Sequence, residues 1–228
     1  PGIPDIVCIV SGIAHGLDDE RFHQLFGRVT LGGLAIRGGF GSRQKGVPTA
    51  AFETLFGDSR FQTTDRRLFA DVEYARALGS TRVDLRAYAD RYGYEGLYPY
   101  IADDLVVLER DVADGIWWGL TGRVSRSAAG RHTLTAGGEV RHSVRQLQSV
   151  ALTGEPPYAE ARRSSVVLAV FAEGEARLRP WLLLNAGARY DDYRGFSHLA
   201  PRVGVIASTS PNQAFKYLYG NAFRAPNA

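Results

Sequence analysis

Apolar and polar residues change places at every second position along much of the chain, which is the period of a strand with two unlike faces and not that of a helix. The clearest stretch runs from Val166 to Leu178. Val166, Leu168, Val170, Ala172, Gly174, Ala176 and Leu178 share one face; Val167, Ala169, Phe171, Glu173, Glu175 and Arg177 share the other. After Trp181 the pattern resumes, with Leu182, Leu184, Ala186, Ala188 and Tyr190 opposed to Asn185, Gly187, Arg189 and Asp191. Val83, Leu85, Ala87 and Ala89 alternate with Arg82, Asp84, Arg86, Tyr88 and Asp90, and Leu134, Ala136, Gly138 and Val140 alternate with Thr133, Thr135, Gly137, Glu139 and Arg141. Ile116–Ser125 follows the same rule, and weaker copies lie at Phe22–Thr30, Leu34–Arg43, Leu68–Ala77, Pro201–Thr209 and Ala214–Arg224. Read against the alternation template, the chain holds about ten strands.

The links between these strands carry a second pattern. Short turns rich in Gly, Pro, Asn or Ser sit at residues 31–33, 79–81, 128–131, 179–181 and 210–213, where such residues supply the dihedrals of a tight reversal. Between them the composition reads as longer links at roughly 44–66, 97–114, 149–163 and 194–200. All tight turns then lie at one end of a meander and all long loops at the other. A water-soluble sandwich accounts for the alternation, with the apolar face turned into a core, but gives no reason to sort links by length. A membrane barrel does both, and adds aromatic girdles where hydrocarbon meets head groups. Tyr74, Tyr92, Tyr94, Trp117, Trp118, Trp181, Tyr190, Tyr193, Tyr217 and Tyr219 fall near strand ends as such girdles require. Small residues on the apolar faces fill a protein core poorly yet suit lipid, which asks only for an apolar surface. The fold class expected is all-β: an antiparallel up-and-down meander of about ten strands, part of a larger transmembrane β-barrel.

Composition narrows the function. Lys and Arg number 27 and Asp and Glu 24, a formal charge of +3, with the signs interspersed. No basic block of the kind that grips phosphate backbones exists, so nucleic acid is not an expected partner. The longest clean apolar run, Val166–Ala172, is far short of the ~20 residues of a membrane helix. A single cysteine, Cys8, precludes an internal disulfide. No catalytic, cofactor-binding or metal-ligating residue is assigned, and no cofactor is expected. Residues 41–46 have the glycine spacing of a phosphate loop, but Val47 and Pro48 stand where Lys and Ser/Thr belong. The five histidines are scattered singly. His142 and Ser143 are neighbours on a strand and point to opposite faces, against a hydrolase pair. The acids Asp103, Asp104, Glu109, Asp111 and Asp114 cluster in a predicted long link, as a cation or ligand site or as a solvated loop.

The last stretch resembles TonB-dependent outer-membrane receptors. A strand opening on Pro201-Arg202, a Pro-containing turn at Ser210-Pro211-Asn212, and a strand ending Tyr219-Gly220-Asn221-Ala222-Phe223-Arg224-Ala225-Pro226 follow the family's pattern. Upstream, Leu184–Asp191 is similar to its recurrent Gly-x-Arg-Tyr-Asp strand, and Phe171–Ala176 and Leu134–Arg141 to others. The resemblance is strongest from about residue 116, and weakest over 1–20. It implies active uptake across the outer membrane of a Gram-negative cell. A plug domain fills a barrel of about 22 strands, a scarce ligand such as a ferric siderophore, vitamin or glycan binds from outside, and an inner-membrane TonB energy-coupling complex drives passage. The partners implied are the plug, the remaining barrel, that complex and outer-membrane lipid. The alternatives are a passive porin or another outer-membrane barrel without energy coupling.

Ten strands are about half of such a barrel, and no plug-like segment or coupling box is legible. Residues 1–20 are expected to be an extracellular loop or a non-native leader, and 21–228 a partial outer-membrane β-barrel not competent alone. Arg82, Asp84, Arg86, Glu139, Arg141, Glu173, Glu175, Arg177, Arg189 and Asp191 are expected to face the lumen. They would hydrate it, pair with one another or dock the plug.

Overall fold

The computed structural model describes residues 12–223. Within them ten strands pair in chain order into one antiparallel sheet. They are β1 (Glu20–Leu31), β2 (Leu34–Gly46), β3 (Gln62–Leu78), β4 (Thr81–Ala102), β5 (Leu105–Ala128), β6 (His132–Leu152), β7 (Ala159–Arg179), β8 (Leu182–Asp192), β9 (Ser197–Ser210) and β10 (Gln213–Gly220). The all-β meander that the alternation predicts is what forms. A single 3-10 turn, Ala51–Glu53, interrupts it, and no described helix is long and apolar enough to cross a membrane.

One end of the sheet is closed by the tight turns placed there by composition. Gly32, Gly79 and Gly130 sit at φ of 56°, 59° and 62°, the left-handed region that a side chain makes costly. The other end departs from expectation. Only the link between β2 and β3, residues 47–61, is a long loop. Residues 97–114 are instead the paired ends of β4 and β5, from Leu97 opposite Arg110 to Ala102 opposite Leu105. Asp103 and Asp104 alone make the reversal, at φ of 50° and 62°. Two successive positive-φ residues are the hairpin geometry that best matches strand twist, and Asp tolerates it. Likewise 149–163 shrinks to a link at 153–158 and 194–200 to one at 193–196. The asymmetry between the ends is real, but long strands carry it more than long loops.

Register fixes which residues share a face, because directly opposed residues point the same way. One row runs Val29, Ile36, Val72, Ala87, Leu120, Val140 and Leu168 across seven strands. The next runs Leu34, Tyr74, Leu85, Gly122, Gly138, Val170 and Tyr190. No second layer covers this apolar face among the described residues: Leu85 is 50% exposed, Leu120 49% and Val170 61%. Among the described residues the buried apolar side chains are Phe61, Pro99 and Ala169. Phe61 closes the 47–61 loop against Tyr98, with ring centroids 5.2 Å apart. A sandwich, which would hide these rows beneath a partner sheet, is therefore not the architecture.

Glycines on the opposite face make room for larger neighbours. A Cβ on Gly137 would run into the Gly122 carbonyl and the Phe171 ring, so the Phe171 side chain lies over a strand that must be bare there. In β6 the pairing with β7 slips between Ser143 and Gln146, a bulge that places Val144 and Arg145 opposite one residue.

Candidate functional site

The second face of the sheet is polar, and its charges are paired across strands. Pairing works here because cross-strand neighbours lie close enough for long side chains to meet. Arg189 Nη2 lies 3.0 Å from Glu139 Oε2, spanning β7 above Ala169, and 2.9 Å from Asp191. Ala169 is buried because its small side chain lies beneath that bridge. Asp71, almost fully buried, accepts from Arg37 at 3.0 Å and from Arg86 at 2.5 Å, while Glu73 pairs with Arg37 as well. Asp84 joins Arg82 at 2.8 Å and Arg123 at 3.2 Å. Arg67 grips Asp90 at 2.5 Å, and Arg202 pairs with Glu173. Arg141 stands 5.9 Å over the Trp117 ring.

All ten residues expected to share a face do so by register. Eight sit in the contacts just given. Glu175 and Arg177 lie lower on the same face and make no ion pair among the described residues. Ion pairs of half-exposed groups stabilise by only about 0–1 kcal/mol each, so this network organises the face more than it holds the sheet. Arg37, Asp71 and Arg202 belong to it and were not anticipated; their strands alternate weakly, and only register reveals them. Arg123 belongs to it as well, on the polar side of the Ile116–Ser125 alternation.

Above the charged rows, β4 sends Tyr92, Tyr94, Tyr98 and Tyr100 to the polar face. Tyr92 donates to Asp65, and the Tyr94 and Tyr98 hydroxyls share a hydrogen bond at 2.5 Å. In the link between β6 and β7, Tyr158 donates to Glu109. That bond to a carboxylate, with some desolvation, pushes the Tyr158 phenol up to about 12. The sign follows: the bond's contribution is full below the ordinary tyrosine pKa of about 10 and is lost as pH rises through the folded value. In ultraviolet titration the absorbance change near pH 12 should shrink by one tyrosine's worth in Tyr158→Phe. An unchanged curve in the variant contradicts the assignment.

The family's signature strand falls partly in view. Tyr219 and Gly220 end β10, and Phe223 stacks on His198 at 4.8 Å. Arg224, Ala225 and Pro226 lie outside the described residues, as do Cys8 and the rest of residues 1–11.

A charged cluster also lies on the apolar side. Asp114, read from sequence as part of a loop acid cluster, is buried within β5, with Arg91 at 3.3 Å and Arg145 in contact. Glu109 and Asp111 are strand residues too, and Asp103 and Asp104 are the turn; the five acids do not gather into one site. His142 faces the same side as this cluster, edge-on to Trp118 at 5.7 Å, while Ser143 is buried on the other face.

The chain spans 88% of its length on the FpvAI–pyocin S2 complex structure at 12% identity and a TM-score of 0.65, covering 36% of that chain. It matches the unliganded ferric citrate transporter FecA over 88% of its length at 10% identity and 0.62, again covering 36%. Pseudomonas aeruginosa FpvA bound to heterologous pyoverdines matches over 84% at 12% and 0.60, with 34% of that chain covered. At such identities these likenesses show the fold, and the chain spans about a third of each structure's length. No curated protein matches the sequence. A family model described as "TonB dependent receptor-like, beta-barrel" matches residues 14–228. The ten-strand meander with one bare apolar face and one ion-paired face thus belongs to the TonB-dependent receptor β-barrel family.

Proposed function

We infer that this chain is a stretch of barrel wall from an outer-membrane receptor that imports a scarce ligand with TonB-derived energy. The observation that carries the inference is the bare apolar face: a single sheet with leucines and valines exposed on one side and paired charges on the other is stable when lipid covers the first and water meets the second. The polar face then encloses the lumen. Arg82, Asp84, Arg86, Glu139, Arg141, Glu173, Glu175, Arg177, Arg189 and Asp191 face that water, pair among themselves, and give a plug domain a surface to dock on. A plug, the remaining strands, an energy-coupling complex and outer-membrane lipid are the partners this reading requires.

The cargo class is a ferric siderophore, a vitamin or a glycan, carried intact with no bond made or broken. The names of two similar structures, a ferric citrate transporter and FpvA with iron pyoverdines, favour an iron chelate. The test is uptake by cells whose only such receptor is the full-length protein bearing this chain. Radioiron delivered as single chelates should accumulate, and accumulation should stop when the proton gradient is collapsed. Uptake that persists without the gradient would identify a passive pore instead.

A further inference from the structure

We propose that the arginines just above the apolar band form a binding site for the phosphate-bearing head group of a lipid in the surrounding leaflet. The proposal rests on the assignment of the apolar face to lipid and adds a specific partner for its rim. On the apolar side of β5, Asp114 lies ten residues from Val124. That is about 34 Å along a strand and, at the usual tilt, about 25 Å along a barrel axis, the height of an outer-membrane apolar band. With Val124 near one boundary, Asp114 therefore stands at the other, where head groups lie.

The charges at this level are not balanced. Asp114 is the carboxylate for both Arg91 and Arg145, whose side chains stay 60% and 45% exposed. Arg66, two residues beyond Leu68 on β3, is exposed on the same side and makes no ion pair among the described residues. Arg110 is offset by Glu95 at 2.6 Å. Three arginines against one acid leave a net charge of about +2 at the head-group level. Arg66 and Arg91, with Arg110 and Asp114, border a groove of about 390 Å³ whose lower lip is Phe40 and Leu68 and whose floor includes Gly93. A Cβ at Gly93 would meet nothing, so the groove is open. The buried Asp114 holds Arg91 through Nε and Nη2 and Arg145 through Nη2, while the remaining N–H groups of both can donate outward. A planar guanidinium suits phosphate oxygens, and phosphate on a lipid anchored in the band below needs no further hold. Soluble phosphate has no such anchor, and the apolar lip serves only a lipid.

The experiment uses the full-length receptor in detergent micelles. Diphosphorylated lipid A is titrated in, with lipid A stripped of both phosphates, and inorganic phosphate, as controls. The thermal midpoint should rise with the phosphorylated lipid and not with either control. Arg66→Gln with Arg91→Gln should weaken binding about fivefold for each arginine removed, the usual effect of one basic residue at an anionic surface. Arg126→Gln, on the same side at the opposite end of β5, should leave binding unchanged. Should the double variant not fold, Arg66→Gln alone tests the site, since Arg66 carries no ion pair to lose. Equal binding of the dephosphorylated lipid, an equal shift with inorganic phosphate, or undiminished binding by the variants each overturns the site. A label at Val170 separates this from failure of the barrel reading. Lipid contact at Val170 without phosphate-dependent binding removes only the head-group site; Val170 shielded from lipid removes both.

Discussion

Leu168→Arg should keep the full-length receptor out of the membrane. Leu168 sits in the row that runs from Val29 through Val72 and Leu120, and its side chain is 44% exposed with no protein over it. A charge on the lipid face near the bilayer midplane costs about 2–4 kcal/mol, a large part of the margin by which proteins are stable. Unfolded, heat-modifiable protein in outer-membrane fractions should therefore rise sharply, and folded barrel fall several-fold. The neighbour Ala169 points to the other face, so the two positions of one strand should differ in what they tolerate. At Glu175, on the polar face without an ion-pair partner among the described residues, Glu175→Arg should assemble normally. Equal tolerance of arginine at 168 and 175 would mean that the faces are misassigned.

The second large effect is expected at Arg189. Among the described residues it is the one cation that pairs with both Glu139, at 3.0 Å, and Asp191, at 2.9 Å. Arg189→Glu sets three carboxylates together above the buried Ala169. Removing one partner from a poorly solvated pair costs up to about 3–5 kcal/mol, less for these partly exposed groups, and reversal adds repulsion. Barrel assembly or plug docking should fail before ligand choice changes. Glu139→Arg in the same chain should recover part of the assembly, because the reversed pair again opposes charges. Unchanged assembly and uptake in Arg189→Glu would remove this residue from any structural role.

What the sequence made legible follows from where the two faces differ in solvent. From Val166 to Leu178 one face is greasy and the other wet, so alternation is strong and the strand plain. Near the far ends of β4 and β5 both faces carry polar groups: Tyr94 and Tyr98 on one side, Glu95 and Arg110 on the other. Alternation vanishes there though the ladder continues, and Gly96 and Pro99 add the look of a loop. The result is the reading of 97–114 as a link. Asp103-Asp104 shows the same confusion on a small scale, since the residues that suit a tight hairpin are also those of an acidic site. The residues of the polar face were legible as one face because parity alone decides it. Their partners were not, because pairing depends on register: Arg37 meets Asp71 only through the β2–β3 ladder. Arg145 was least legible, for a bulge in β6 sets its position and nothing near it in sequence signals one. The Arg91–Asp114 contact spans 23 residues.

The central claim is that the apolar face meets lipid and the charged face meets water. Spin labels at Val170 and at Glu173, in the full-length receptor reconstituted in bilayers, test it most directly. The label at Val170 should relax with oxygen, which concentrates in hydrocarbon, and ignore a water-soluble nickel complex. The label at Glu173 should do the reverse. A Val170 label reached by the nickel complex, or shielded from both probes by protein, would contradict the account.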